Sequence, residues 1–327
     1  MKKKDPQLLD GEALKQWRLV VKGFWRRGDV FYLESNRGAK ALRITESREE
    51  TERRLLAAEH LAKGGFTSLP RPILNRFGDA YSRAFNGFYS LSDWIEGRPL
   101  ALGEPGEAAS AARTLASLHL ASQGFLPRKE PFFRLSGKET ASALLAYRNM
   151  ALAGPQWREG LSFVYAQAAA ALRLLPPATE QRLKQRVAKE GGLCLSVDLS
   201  KALVINEESG IFVLDFGEWQ PGPGAADLAE LLLHCGEQEA WRGEAAAAAL
   251  REYLLLRPLP EEERALLLAA LILPCEPLLL LRRFGRGEFN MEELDARWRA
   301  ACHCEKSKMA WMEGLAPLLF KSKSLNS

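Results

Sequence analysis

Apolar positions change period along this chain, and the changes mark out its elements. Before residue 100 they fall in short runs. Trp17 to Val21, Asp29 to Glu34 and Ala39 to Ile44 alternate or run apolar, separated by Gly23, Gly28 and the turn Ser35-Asn36-Arg37-Gly38, which predicts a three-strand meander. From Glu49 to Lys63 the spacing turns helical, with Leu55, Leu56, Ala58, Leu61 and Ala62 on one stripe and Gly64-Gly65 ending it. A strand pair is expected around Gly78-Asp79-Ala80-Tyr81. Beyond residue 100 helical spacing dominates: Glu107 to Ser122, Trp157 to Leu175, Ala178 to Lys189, Arg242 to Leu256, Pro260 to Leu273, Glu276 to Arg283 and Met291 to Cys302. One stretch interrupts this. Leu193 to Val197, Ala202 to Ile205 and Ile211 to Leu214 are short apolar runs bounded by Asn206, Ser209 and Gly210, and a Gly/Pro turn at 221–224 leads into the apolar helix Leu228 to Leu233.

Composition narrows the class. At 327 residues the chain can bury a large core, and its length suits two lobes. Forty-five Lys and Arg against 41 Asp and Glu leave a formal charge of +4, too mild for nucleic-acid binding, so no nucleic-acid partner is expected. The start, MKKKDPQLLDGEALKQW, is basic but has no apolar run behind it, and the leucine-rich runs near residues 266–273 and 278–281 are broken by Pro274, Glu276 and Pro277. No signal peptide and no membrane span are expected. Five cysteines stand at 194, 235, 275, 302 and 304. Only Cys302, His303 and Cys304 cluster, and three adjacent residues do not close a tetrahedral metal site. An odd count without a secretion signal favours reduced thiols and a cytoplasmic location.

The stretch 191–233 holds the densest chemistry. The first and third apolar runs each deliver an aspartate, Asp198 and Asp215, and a hairpin would bring both carboxylates to one end of one small sheet. A third, Asp227, opens the helix after the Gly/Pro turn. Two readings stand side by side: aspartates capping turns at strand ends, or a catalytic pair.

The order Ser196-Val197-Asp198, Leu203, Asp215-Phe216-Gly217 resembles the catalytic core of the aminoglycoside phosphotransferase and choline kinase type of protein-kinase-like fold. The segment 88–98, which contains Trp94-Ile95-Glu96-Gly97-Arg98, and the helix EAASAARTLASLHLAS resemble most closely the CotS-like spore coat branch of it. The resemblance implies an α+β, two-lobed fold: a small antiparallel-sheet lobe over residues 1–90 that covers a nucleotide, a hinge at 91–98, and a mostly helical lobe over 99–327. It implies Asp198 as catalytic base and Asp215 as the ligand of magnesium. Arg43 falls where the family has a phosphate-gripping lysine, Glu52 and Glu59, with Glu59 favoured, where a helix glutamate pairs with it, and Ser90 and Trp94 where an adenine ring lies against the hinge. Lys40, three residues from Arg43, points to the opposite face of a regular strand. His119 reads as a packed structural histidine.

The same alignment shows three departures: Arg43 for lysine, Ser196 for the loop histidine, and Leu203 for a metal-binding asparagine. Leucine has no side-chain oxygen to offer a metal. Two functions follow from the resemblance. One is a CotS-like pseudokinase of the spore coat, a binding or assembly component with weak or absent ATP and magnesium binding and coat proteins as partners. The other is an ATP- and magnesium-dependent phosphotransferase acting on a small hydroxylated or sugar-like acceptor.

Overall fold

The computed structural model describes residues 9–27, 30–126, 155–195, 199–214, 219–288 and 290–320. Contacts divide the chain into two units, residues 1–99 with 201–217 and residues 100–200 with 218–327. The stretch 201–217 thus groups with the amino-terminal unit, across the continuous boundary expected from the sequence.

In the first unit Asp10 starts a short helix, α1 (Gly11–Lys15), by accepting from the Glu12 and Ala13 amides at 3.0 and 3.2 Å. Ala13, Leu14, Trp17 and Leu19 then bury against Leu33, Leu42, Tyr89 and Leu91. The strand expected over residues 17–21 is therefore displaced. Trp17 and Leu19 are core residues of a helix end and the following turn, where Arg18 takes φ 54°, and the first strand, β1, runs Val21–Arg27. It pairs with β2 (Val30–Ser35), which pairs with β3 (Gly38–Thr45). The helix α2 (Arg48–Lys63) follows, with Ser47 accepting from the Glu50 amide at 3.1 Å.

The next hairpin also sits later than expected. Asn75 Oδ1 accepts from the amides of Phe77 and Asp79, which closes residues 75–79 into a turn. The strands are β4 (Ser82–Ala84) and β5 (Gly87–Asp93), turning at Phe85-Asn86. The sheet is antiparallel throughout, in the order β1-β2-β3-β5-β4. A second sheet in this unit joins β6 (Arg98–Pro99) to a hairpin described below.

The second unit is helical. Its helices are α3 (Pro105–Ala121), α4 (Pro155–Leu174) and α5 (Pro177–Glu190), with α3 starting on Pro105 and α5 on Pro177, residues that fit a first helical turn. A two-residue strand, β7 (Leu193–Cys194), leads to the single turn α6 (Leu199–Ala202) and to the first unit's hairpin β8 (Leu203–Asn206) and β9 (Gly210–Val213). The chain returns through β10 (Gln220–Pro221) to α7 (Ala225–Gln238), α8 (Ala245–Leu256), α9 (Glu261–Ile272), α10 (Cys275–Gly285) and α11 (Met291–Phe320). α3 lies along α8, and the buried faces of both are rich in alanine (Ala108, Ala111, Ala112; Ala245, Ala246, Ala249), which lets the backbones approach closely.

The three runs of 193–214 do not form one small sheet. β7 pairs with β10, while β8 pairs with β9 and β6 in the first unit. The last helix is also longer than its pattern suggested: it continues past Cys302 for another eighteen residues, with Pro317 accommodated near its end. Among the described residues no single helix is long and apolar enough to cross a membrane. The bent pair α9 and α10 comes nearest in composition, and its Leu266, Leu267, Leu271, Leu280 and Leu281 are buried in the unit's own core.

Candidate active site

Strand pairing fixes which side chains share a face of the large sheet. Lys40 lies opposite Leu33 on one neighbour and Asp93 on the other, and Arg43 opposite Val30 and Ser90. Because side chains alternate, Lys40 and Arg43 point to opposite faces, as the sequence spacing implies. Lys40 is buried, and its Nζ donates to Asp93 at 2.7 Å and to the Arg37 carbonyl at 2.6 Å. It is spent on the hairpin.

Arg43 shares its face with Ser90, and the same face carries an aromatic group. Trp25 stacks on Tyr32 with centroids 4.1 Å apart, Tyr32 meets Trp94 edge-on at 5.1 Å, and the Arg27 guanidinium sits 5.3 Å from the Trp94 ring. Trp94 extends the ladder beyond β5 by donating its amide to the Ala39 carbonyl. The structure therefore brings Arg43, Ser90 and Trp94 to one face of one sheet. Glu59 does not join them. It is exposed on α2, away from the buried Thr51, Ala57, Ala58 and Leu61, and the side-chain bond from β3 to α2 is Thr45 Oγ1 to Thr51 Oγ1 at 2.9 Å. The expected ion-pairing role of Glu59 fails because helix phase turns it outward.

Asp198 and Asp215 lie outside the described residues, as do Ser196, Phe216, Gly217 and Glu218. The residues that frame them are described. The Leu195 amide, three residues before Asp198, donates to Asp227 Oδ2 at 2.8 Å, and the same oxygen is 2.9 Å from His119 Nε2. His119 Nδ1 is 2.7 Å from the Tyr253 hydroxyl. Asp227, His119 and Tyr253 are each at most 3% exposed. His119 is thus a packed residue, as read from the sequence, but one wired to the start of the aspartate loop. That bond between α3, α7 and β7 was not legible in the chain, since residues 119, 195 and 227 meet only through the fold.

On the far side of Asp198, Leu203 heads β8 opposite Val213 and is 1% exposed. Its position is part of the apolar interior of the first unit. Asn206, the nearest amide, is committed to the β8–β9 turn: Oδ1 accepts from the Glu208 and Ser209 amides and the Ser209 hydroxyl, and Nδ2 donates to the Glu96 carbonyl. The described donor set at this place does not fit a metal ion. Nor is there, among the described residues, any group of three or more His, Cys, Asp and Glu side chains placed to hold one. In α11 the adjacent Cys302 and His303 point apart, one buried and one exposed, and Cys304 accepts from Trp241 Nε1 at 2.9 Å.

A five-stranded antiparallel sheet with one large helix, a helical unit, and an aspartate segment between a short strand and a hairpin together define the kinase-like class of phosphotransferase folds. The sequence places the chain within that class. Residues 26–266 match the phosphotransferase enzyme family that includes the aminoglycoside phosphotransferases, and the chain belongs to that family. Its fold is similar to the aminoglycoside phosphotransferase of Alicyclobacillus acidocaldarius subsp. acidocaldarius DSM 446, with a TM-score of 0.82 at 19% identity and 97% of each chain covered. It is also similar to a microcompartment-associated aminopropanol kinase (TM-score 0.54, 17% identity, 94% of this chain and 97% of that one). A third similar structure is a spectinomycin phosphotransferase in complex with ADP and spectinomycin (TM-score 0.53, 14% identity, 90% and 96%).

Proposed function

We propose that this chain is a CotS-like, spore coat-associated member of the family that works as a binding or assembly component, a pseudokinase whose partners are other coat proteins. The observation that carries the reading is Leu203, buried against Val213 where the family's pattern has a metal-binding amide, with Asn206 too committed to its turn to replace it. Arg43 adds to it. A planar guanidinium does not substitute for an ammonium at a site shaped for one, and Glu59 offers it no support from α2.

A second reading is favoured by the intact brace at Leu195, Asp227 and His119, which fixes the backbone entering the aspartate loop. On that reading the chain is an ATP- and magnesium-dependent phosphotransferase for a small hydroxylated or sugar-like acceptor. Asp198 takes the acceptor's proton and Asp215 is the one strong metal ligand left in the motif. The names of the similar structures carry aminopropanol and spectinomycin, which suits a small acceptor.

Thermal unfolding with ATP and magnesium, then with ATP and EDTA, followed by an ATP turnover assay, separates the two. The pseudokinase reading expects a weak nucleotide shift that EDTA leaves unchanged, and no turnover. A magnesium-dependent shift with multiple turnovers would establish the second reading instead.

A further inference from the structure

The brace at Asp227 does not stop at His119. Tyr253 OH also lies 3.2 Å from Arg257 Nη1, and Arg257 grips Glu263 through two bonds, Nη1 to Oε2 at 2.8 Å and Nη2 to Oε1 at 2.7 Å. Glu263 Oε2 in turn accepts from the Ala225 amide at 3.3 Å. Ala225 is the first residue of α7 and Asp227 the third, so the bonds close a ring that begins and ends in one helical turn. The ring draws on α3, α7, α8, α9 and the end of β7.

From Arg257 to Asp227 its hydrogen bonds have one direction. Arg257 only donates, so Tyr253 oxygen accepts from it, and the Tyr253 hydrogen is left to donate to His119 Nδ1. His119 then donates from Nε2 to Asp227. Along this arm every donor leads toward the carboxylate that also holds the Leu195 amide, while the other arm converges on Glu263, which accepts from Arg257 and from the Ala225 amide. Burial, above all, raises Tyr253 above the ordinary phenol value, which keeps its hydrogen in place. Burial alone would lower Arg257, but the adjoining Tyr253 and the paired Glu263 outweigh it and hold the guanidinium above its ordinary value. Space is as constrained as charge: a Cβ on Gly224 would stand 2.5 Å from His119 Nδ1 and 2.8 Å from Tyr253 OH.

A buried Arg–Glu pair is weak as a source of stability, because apolar side chains of the same volume commonly do as well. What a closed and directional ring supplies is one geometry. We propose that Tyr253, Arg257 and Glu263 are positioning residues for the aspartate loop, setting the His119 ring and Asp227 so that Asp227 pins the backbone at Leu195. Their value to catalysis rests on the phosphotransferase reading above. The positioning itself does not, and the experiment keeps the two apart.

The variants are Tyr253→Phe, Glu263→Gln and Arg257→Lys in the full chain. Two readouts apply to each: amide hydrogen exchange of the segment 191–199, and the protonated nitrogen of His119 by ¹⁵N NMR. The unaltered chain is expected to carry the His119 hydrogen on Nε2. In Tyr253→Phe and Glu263→Gln the 191–199 amides are expected to exchange on the order of tenfold faster, the effect of losing one hydrogen bond's worth of protection, with the β1–β3 sheet unchanged. Arg257→Lys, which keeps one donor for Glu263, recovers part of it. Unchanged exchange at 191–199 in whichever of Tyr253→Phe and Glu263→Gln fold, or a His119 hydrogen on Nδ1, overturns the proposal. Should one variant fail to fold, the other two carry the test. Absence of turnover in the unaltered chain counts against the phosphotransferase reading alone, and the exchange data still decide the positioning.

Discussion

Leu203 stands where the resemblance would place a metal-binding asparagine, and its surroundings show that introducing one is not simple. The side chain is 1% exposed and faces Val213, which is fully buried. An asparagine there would bring two donors and an acceptor into apolar packing, and an unsatisfied buried amide costs about 1–3 kcal/mol beyond the lost contacts. Leu203→Asn is therefore expected to lower stability by about 3 kcal/mol in urea denaturation and to leave ATP turnover no faster than in the unaltered chain. Arg43 is unchanged by it, and so is the commitment of Asn206 to its turn. A variant as stable as the parent would mean that the amide finds partners, and a gain in turnover would mean that the missing ligand was the main defect.

At the scale of elements, α11 carries a buried pair unrelated to the site. Lys308 and Glu305 lie 2.6 Å apart with side chains 4% and 7% exposed, and Lys308 also donates to the Leu273 carbonyl at the end of α9. Burial raises the Glu305 carboxyl above its ordinary 4.5, and Lys308 offsets part of that rise. Lys308→Met removes the offset, so the folded state holds a proton that the unfolded chain releases. A carboxyl raised in the fold gives stability that is full below 4.5 and is lost as the pH climbs through the raised value. The variant is thus expected to lose more stability between pH 5 and pH 8 than the parent does, a comparison for urea melts at both values; parallel pH profiles would show that Lys308 does not hold the carboxyl down. Nothing in the sequence announced this pair, since its depth comes from neighbouring helices. Helices themselves were legible, because Pro and Gly punctuate runs with clear apolar stripes. Strands were less so. Trp17 and Leu19 alternate like strand residues while lining the core beside α1, and the turn signal at Gly78 belongs to an Asx-type turn one segment before the true hairpin. Of the site, the opposed faces of Lys40 and Arg43 followed from spacing alone, whereas the outward phase of Glu59 and the ring through Tyr253, Arg257 and Glu263 needed the packed helices.

Across the whole molecule, the family match ends at residue 266 but the second unit's core does not. Leu294, Trp298, Ala301, Trp311, Met312, Leu315 and Leu319 of α11 are each less than 10% exposed. Two glycines receive its tryptophans: a Cβ on Gly160 would lie 2.7 Å from Trp298 Nε1, and one on Gly236 would lie 3.2 Å from the Trp311 ring, which packs edge-on against Trp241 with centroids 5.2 Å apart. Burying a large apolar side chain is worth about 1.5–3 kcal/mol, so these residues together contribute about 10 kcal/mol or more, as much as the net stability of a typical domain. A chain ended after Glu288 is accordingly expected to lose its cooperative thermal transition, keep much of its helical far-UV circular dichroism, lose its near-UV tryptophan signal and bind a hydrophobic dye. The first unit has a core of its own, built from α1 and the large sheet, so amide exchange in β1–β3 should change far less than exchange in α4, α7 and α8. If the shortened chain instead melts in a single sharp transition within a few degrees of the parent, α11 is an appendage and the second unit is complete without it.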